Sequence, residues 1–313
     1  MSDIDRVIRS NLKLRHLQLL VALDEFRHLG RASEFLSLTQ PAVSKTLAEI
    51  ERMFGLQLFV RSTRGTEPTA YGHSVVRFAR SVLADYGRTR DEIAAVASGA
   101  AGRVSVGAMV VATPVLLVQA VARLKRLSSH ATVLVEEGDL TRLLPRLRVN
   151  ELDLIIGRLE PGYASPDLET EALHEESMCI VAHPEHRLAA RDALEWKDLA
   201  SESWVVPPPW ASSRIKLNQM FYQHGLNPPA DLIETASYLA TLSFVRERHA
   251  LGFLARNVAR HCQREGLLSV LDIEVPIELP PVGLITLRGR TRTPTCTQLI
   301  ECLRACATQP ATF

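Results

Sequence analysis

Apolar positions over the first 97 residues recur with a helical period, interrupted by one short β-rich stretch. Leu14, Leu17 and Val21 stand at i, i+3 and i+7, the spacing of one buried helical face. A brief second helix is predicted from about Arg31 to Leu36, with Ala32, Phe35 and Leu36 facing inward, and Thr39 is suited to cap a third. That third helix, Gln40 to Phe54, buries Val43, Leu47, Ile50 and Phe54, tolerates Pro41 in its first turn, and keeps a polar face of Gln40, Ser44 and Lys45. Leu58-Phe59-Val60, a polar turn from Arg61 to Gly65, and a return through Thr66 and Thr69 predict a two-stranded wing. From Tyr71 to Ala97 one helix carries Val75, Ala79, Val82, Tyr86, Thr89, Ile93 and Val96 in alternating steps of four and three. Such a narrow heptad seam between polar flanks calls for a partner helix, so the segment is expected to dimerise.

The small-residue seam Ser98-Gly99-Ala100-Ala101-Gly102 has little side chain to pack and wide backbone freedom, which marks a hinge and a domain boundary. Beyond it the period changes. Strand-like runs at Val104 to Gly107, Thr132 to Val135, Leu154 to Gly157, Met178 to Ala182, Trp204 to Val206, Gly252 to Leu254 and Val282 to Leu287 alternate with helical stretches. These include Pro114 to Arg126, Ser213 to His224, Tyr238 to Arg248 and Thr295 to Ala307. The pattern predicts an α/β region built on two open sheets.

Length and composition narrow the class. At 313 residues the chain exceeds one comfortable core, and two or three folding units are expected. With 46% hydrophobic and 23% charged residues and no apolar run of the roughly 18 residues needed to cross a bilayer, transmembrane readings drop out. Met1 to Asn11 is polar and mixed in charge, without the apolar centre of a secretory signal, and a cytoplasmic location is expected. Cys179, Cys262, Cys296, Cys302 and Cys306 form no CxxC pair, which suits a reducing compartment. Cys302 and Cys306, at i and i+4, share a helix face and read as ordinary packing rather than a thiol sensor. The formal net charge of +1 leaves nucleic-acid binding open, because a large neutral region dilutes a small basic one.

The chemistry concentrates in Thr39-Gln40-Pro41-Ala42-Val43-Ser44-Lys45. A helix that reads DNA offers donors and acceptors to base edges from its first turn, while cations and amides hold phosphates. Gln40 suits adenine, Ser44 donates and accepts, and Lys45 reaches guanine or phosphate. Arg61 and Arg64 in the wing are candidates for the minor groove or its phosphates. The run His183-Pro184-Glu185-His186 reads as a surface turn, and His261-Cys262 is only a pair, so no metal site is expected. No nucleophile elbow, phosphate loop, dinucleotide fingerprint or HExxH is present, and neither catalysis nor a cofactor is expected.

Leu14-Arg15-His16-Leu17, Ala32, the Thr39 to Lys45 run, Leu56 to Arg61, Arg64 and Pro68-Thr69-Ala70-Tyr71-Gly72 together resemble the LysR-type transcriptional regulators in order and spacing. Leu147 to Gly157, His183-Pro184, Leu188-Ala189, Trp196, Asp198-Leu199 and Trp204 fit the family's ligand-binding region. The resemblance implies an α + α/β chain: a winged helix-turn-helix over 1–70, a linker helix over 71–98, and over 103–313 a two-subdomain domain like type 2 periplasmic binding proteins. Subdomain I is expected over 103–160 and 268–313 and subdomain II over 161–267, with crossings near 160 and 267. It also implies promoter DNA, a small-molecule effector and RNA polymerase as partners, and a homodimer or homotetramer.

By the same resemblance the effector lies between the subdomains, against Met109, Val110, Val111 and Thr113, then Asp139 and Thr141, then Trp210, Ser212 and Ser213, and finally Ser237 and Tyr238. Members that bind carboxylates often place Ser or Thr in the first two loops, whereas this chain offers Met109-Val110-Val111 and Asp139. An acid there accepts hydrogen bonds from sugar hydroxyls and repels anions, unless it only caps the following helix. Trp210 either stacks on a ring or covers the rim. A sugar or sugar derivative is therefore the expected effector, with aromatic or other carboxylates as the alternative; Gly157-Arg158-Leu159 with Pro161 resembles branches controlling sugar or aromatic-acid uptake and breakdown. A secreted solute-binding protein would have no use for Gln40 to Lys45 before a wing.

Overall fold

The computed structural model describes residues 3–62, 65–98 and 102–308. The chain opens with a helical turn, α1 (Asp3–Arg6), which runs into a π turn (Val7–Asn11). There follow α2 (Leu14–Phe26), α3 (Leu29–Phe35), α4 (Gln40–Phe54), the antiparallel strands β1 (Phe59–Ser62) and β2 (Gly65–Pro68), and the long α5 (Ala70–Ser98). It divides into two compact units. One holds the residues up to Arg103 with Leu144–Leu152, the other Val104–Leu143 and the residues from Asp153 on.

In the first unit α4 follows its apolar spacing: Val43, Leu47, Ile50 and Phe54 are buried, the Thr39 hydroxyl accepts from Ala42 N at 3.4 Å, and left-handed Gly55 ends the helix. α2 buries more of its circumference than one stripe: Leu17 is buried, and Leu19, Leu20 and Leu23 pack into a core closed by Leu58 and by Val76 of α5. α3 differs from expectation. His28 Nδ1 accepts from the Gly30 and Arg31 amides and starts it at Leu29, so that Ala32 and Ser33 point inward. Phe35, expected inside, is 67% exposed and lies against the Phe26 ring, 5.1 Å between centroids.

The wing pairs Phe59 with Pro68 and Ser62 with Gly65, its turn residues 63 and 64 lying outside the described residues. Two side chains of Glu51 and Thr69 tie it down: Glu51 accepts from the Leu58 and Phe59 amides, and Thr69 donates to Gln57 O. α5 approaches so closely that a Cβ on Gly72 would stand 2.0 Å from Leu58 O. Three groups of residues along α5 then have different surroundings. Gly72, Val76 and Ala79 are buried in their own domain. Arg80, Ser81, Asp85 and Arg88 meet Asn150 and Glu151. Tyr71, Phe78, Tyr86 and Ile93 remain exposed. The expected seam is corrected at its start, where Ala79 and half-buried Val75 pack inward because the first turns of α5 complete the winged-helix core; Phe78, not read as a seam residue, faces out. Val96's side chain and the hinge residues 99–101 lie outside the described residues.

After α5 the chain continues with β3 (Arg103–Ala108), a π turn (Thr113–Leu117), α6 (Val118–Leu127), β4 (Thr132–Glu137), α7 (Leu140–Arg148), which passes from the second unit into the first, β5 (Leu154–Arg158), β6 (Leu168–His174), β7 (Met178–Ala182), α8 (Trp196–Leu199), β8 (Trp204–Val206) and α9 (Ser212–Gln223). It ends with β9 (Leu232–Glu234), α10 (Tyr238–Arg248), β10 (Leu251–Ala255), α11 (Arg256–Arg264), β11 (Ser269–Val270), β12 (Val282–Leu287) and α12 (Pro294–Ala307). One five-stranded sheet has the order β4-β3-β5-β12-β6, the other β11-β7-β10-β8-β9. β3 and β5 run parallel, as do β10, β8 and β9, while β12 and β7 are antiparallel to their described partners. Sheet membership moves the changeovers. β6 pairs with β12 before the chain leaves the first sheet, and β11 still pairs with β7, so the chain changes sheet after His174 and after Val270 rather than near 160 and 267. Charged Glu169 and Glu171 mask β6 in the sequence, and β11 is too short to carry a period.

Gly72→Ala should lower stability by about 1–3 kcal/mol, the cost of overpacking a site where backbone is the obstacle. Gly87→Ala on the same helix meets nothing within 4 Å and should raise stability by about 0.5–1 kcal/mol. Urea midpoints of the two variants should move in opposite directions.

Candidate DNA interface and effector cleft

The first turn of α4 is open to solvent: Thr39, Gln40, Pro41 and Lys45 are exposed and Ser44 is half-buried. Pro41 removes an amide that the first turn would leave unbonded in any case, and Thr39 satisfies another. The wing comes to this turn, because Arg61 Nη1 donates to Ser44 Oγ at 2.9 Å. One cation and one of the expected base-reading groups therefore share a position, and Arg61 holds the Ser44 hydroxyl's acceptor side while leaving its proton available. Gln40 Oε1 lies 4.0 Å from where a Cβ on Gly30 would stand, which sets the glutamine beside the start of α3. Arg64 falls outside the described residues. Sequence reasoning missed what anchors the wing: Arg27, left-handed at φ +49°, accepts from Thr66 N at 2.8 Å and pairs with Glu67.

In the second unit the loops expected to line a cleft do follow the carboxyl ends of neighbouring strands, where open α/β sheets bind ligands. Met109 follows β3 and folds over the end of β5: a Cβ on Gly157 would stand 2.4 Å from its sulfur, so only glycine fits there. Val111 and Val115 of the same loop pack into the core of the other sheet, and Val110 is 37% exposed. Thr113 Oγ1 donates back to Met109 O. Asp139 is exposed and caps α7, its Oδ1 accepting from the Thr141 and Arg142 amides at 2.9 and 3.1 Å and from the Thr141 hydroxyl. That hydroxyl and those amides hold its carboxyl below the usual range despite partial burial. Both residues of this loop are thus engaged with each other.

Beyond β8, Trp210 is 73% exposed, Ser213 is half-buried, and Ser212 Oγ donates to Glu160 Oε1 at 2.6 Å. Ser237 caps α10 by accepting from Ala240 N, and Tyr238 turns its hydroxyl to the buried Cys262 sulfur; burial and then that contact raise the phenol's pKa. Two further residues organise these loops. Arg214, buried, donates to Pro207 O at 3.1 Å and to Glu234 at 2.8 Å, fixing the loop after β8 to the end of β9. Arg158, buried at the end of β5, donates to Pro280 O and Glu176 O at 2.9 and 3.2 Å, where burial lowers its pKa and the nearby Glu176, Glu160 and Glu175 offset that. Glu160 and Arg214 carry no periodic signal, since each acts through contacts to distant loop residues. Burial raises Cys302 and Cys306 above an ordinary thiol, in keeping with packing. Among the described residues no group of three or more His, Cys, Asp or Glu is placed to hold a metal, and no helix is long and apolar enough to cross a membrane.

Comparison with known proteins covers nearly all of the chain. Residues 14–73 match the family described as bacterial regulatory helix-turn-helix protein, lysR family, and residues 97–307 match the LysR substrate binding domain. The HTH-type transcriptional regulator GbpR of Azospirillum brasilense is 32% identical over 95% of this chain and 87% of its own length. GalR of Pseudomonas putida, also an HTH-type transcriptional regulator, is 28% identical over 95% of this chain and 75% of its own. Among solved structures, CbnR, a LysR family transcriptional regulator, aligns with a TM-score of 0.72 at 20% identity over 95% of this chain and all of its own. Full-length CbnR complexed with its target DNA aligns with a TM-score of 0.71 at 20% identity, over 94% of this chain and 100% of that one.

Asp139→Ala should cost about 1 kcal/mol in urea unfolding, as loss of an N-cap does, and Asp139→Asn should restore most of it. Because the folded pKa lies below the ordinary 3.8, the carboxylate stabilises above that pH, and the gap to wild type should narrow as pH falls through the folded value.

Proposed function

The chain belongs to the LysR family of DNA-binding transcriptional regulators with an effector-binding domain, and we propose that it reads its operator with the first turn of α4. In this reading Gln40 and Ser44 contact base edges, Lys45 and Arg61 contact phosphate, and Thr39 and Pro41 hold the turn in register. The observation that carries it is the Arg61 to Ser44 hydrogen bond, which brings a wing cation to the exposed start of the helix. Arg64, three residues along the chain from Arg61 and outside the described residues, joins it on the DNA backbone in this reading. The protein acts by binding and not by turnover, in the cytoplasm, with RNA polymerase as the downstream partner.

The exposed Phe78, Tyr86 and Ile93 of α5, with half-buried Val82 beside them, support pairing with the same helix of a second copy, and dimers assemble into tetramers. In the second unit, Asp139 and Glu160 put carboxylates on the expected cleft, and the exposed indole of Trp210 offers a face for a ring. Acceptors beside a stacking surface suit a neutral polyhydroxylated molecule, a sugar or sugar derivative, over an anion. Met109, Val110, Val111, Thr113, Thr141, Ser212, Ser213, Ser237 and Tyr238 complete that proposed site.

On DNA fragments selected from a random pool by the wild-type protein, Gln40→Ala should relax sequence preference by about 1–3 kcal/mol at one position. Arg61→Ala should instead weaken every sequence alike and reduce the salt slope by about one. Equal loss on all sequences for Gln40→Ala would remove its base-reading role. In sedimentation, Val82→Asp and Ile93→Asp should yield monomers, and unchanged mass would remove the helix pairing. Thermal unfolding against sugars, sugar acids and aromatic acids identifies the effector class, since a ligand of the native state raises the midpoint; stabilisation by aromatic acids alone would overturn the sugar assignment.

A further inference from the structure

Six charged side chains of alternating sign run without a gap through the first unit. Glu67 on β2 pairs with Arg27, whose Nη2 lies 2.8 Å from Asp24 Oδ1. Asp24 Oδ2 accepts from Arg80 Nη2 at 3.1 Å, and Arg80 Nη1 donates to Glu151 Oε1 at 3.1 Å. Glu151 Oε2 then accepts from Arg146 Nε at 2.8 Å. The middle of the run is sheltered: the side chains of Asp24, Arg80 and Glu151 expose 15, 25 and 22% of their surface, so water screens them less than an ordinary surface pair.

Two turns further along α5, the same turn of chain is gripped again. Arg88 Nη1 donates to Asn150 O at 2.7 Å, and Asn150 Nδ2 donates to Ser81 Oγ at 3.1 Å and reaches the Asp85 carboxylate at 3.3 Å. Asn150 holds a left-handed φ of +63°, which fixes the turn that delivers Glu151. Two residues on, Asp153 accepts from Ser105 N and Arg290 at the start of β5, the strand that ends at Gly157 and Arg158.

We propose that Arg80 couples the turn before β5 to the wing, as a guanidinium shared between Glu151 and Asp24. A planar fork with two acceptors on separate segments has two arrangements. With Glu151 in place, each carboxylate takes one Nη. When Glu151 withdraws, both Nη groups turn to Asp24, draw its Oδ1 away from Arg27, and Arg27 loses the partner that steadies it. Arg27 holds the wing twice, through Glu67 and through its carbonyl to Thr66 N, so displacement of the turn reaches β2 through one relay.

The test needs neither DNA nor effector, so its outcome is independent of the operator and effector readings. Amide hydrogen exchange of Thr66 and Glu67 is measured in the full chain for Glu151→Gln, Arg80→Met, and both together. Glu151→Gln should raise exchange about two- to fivefold, the worth of one partly sheltered ion pair, and add nothing once Arg80 is replaced. Arg80→Lys, which keeps the charge without the fork, serves if methionine impairs folding and should likewise abolish the Glu151 effect. Equal increases with and without Arg80, or no increase for Glu151→Gln alone, would overturn the relay.

Discussion

One 29-residue helix has to complete the winged-helix core, meet the turn around Asn150 and keep apolar side chains open, and the way α5 divides these tasks along its length governs the first unit. Its first turns bury Gly72, Val76 and Ala79, its middle brings Arg80, Ser81, Asp85 and Arg88 to the turn around Asn150, and Phe78, Tyr86 and Ile93 stay exposed. The first face must be nearly flat, because Leu58 O leaves no room for a Cβ at position 72. That close approach fixes the rotation of the whole helix. Further along, the helix brings Arg80, Ser81, Asp85 and Arg88 to the turn around Asn150 and leaves Tyr86 and Ile93 open.

The winged-helix portion was legible almost residue by residue, since α4 is long, strongly periodic and bounded by Thr39 and Gly55. What the sequence did not disclose were places where one residue serves a neighbour out of period. His28 starts α3 early by capping it with a ring nitrogen, which turns Phe35 outward. Ala79 and Val75 satisfy a heptad pattern equally well whether they face a second helix or their own core, and periodicity has no means of telling the two apart. In the second unit the buried strands stood out as apolar runs, whereas β6, with glutamates at its half-buried positions, and β11, two residues long, did not. The changeover points between the sheets moved for that reason alone.

The expected cleft residues lie on the loops that the resemblance named, but most of their hydroxyls are already engaged locally. Thr113 bonds within its loop, Thr141 bonds its cap, Ser237 caps α10 and Tyr238 faces Cys262. The side chains of the proposed site without such a local bond include Met109, Val110 and Trp210, while the Asp139 and Glu160 carboxylates already accept from Thr141 and Ser212. The buried cations, Arg158 and Arg214, hold backbone carbonyls and so act as struts of the loops.

The chain has three tryptophans, and two of them, Trp196 and Trp204, are buried in the core of the second sheet beside Phe221. Trp210 alone stands in water. The protein therefore carries its own optical probe of that loop: its red-edge emission and its quenching by acrylamide report a single indole, against a blue-shifted background from two that solvent does not reach.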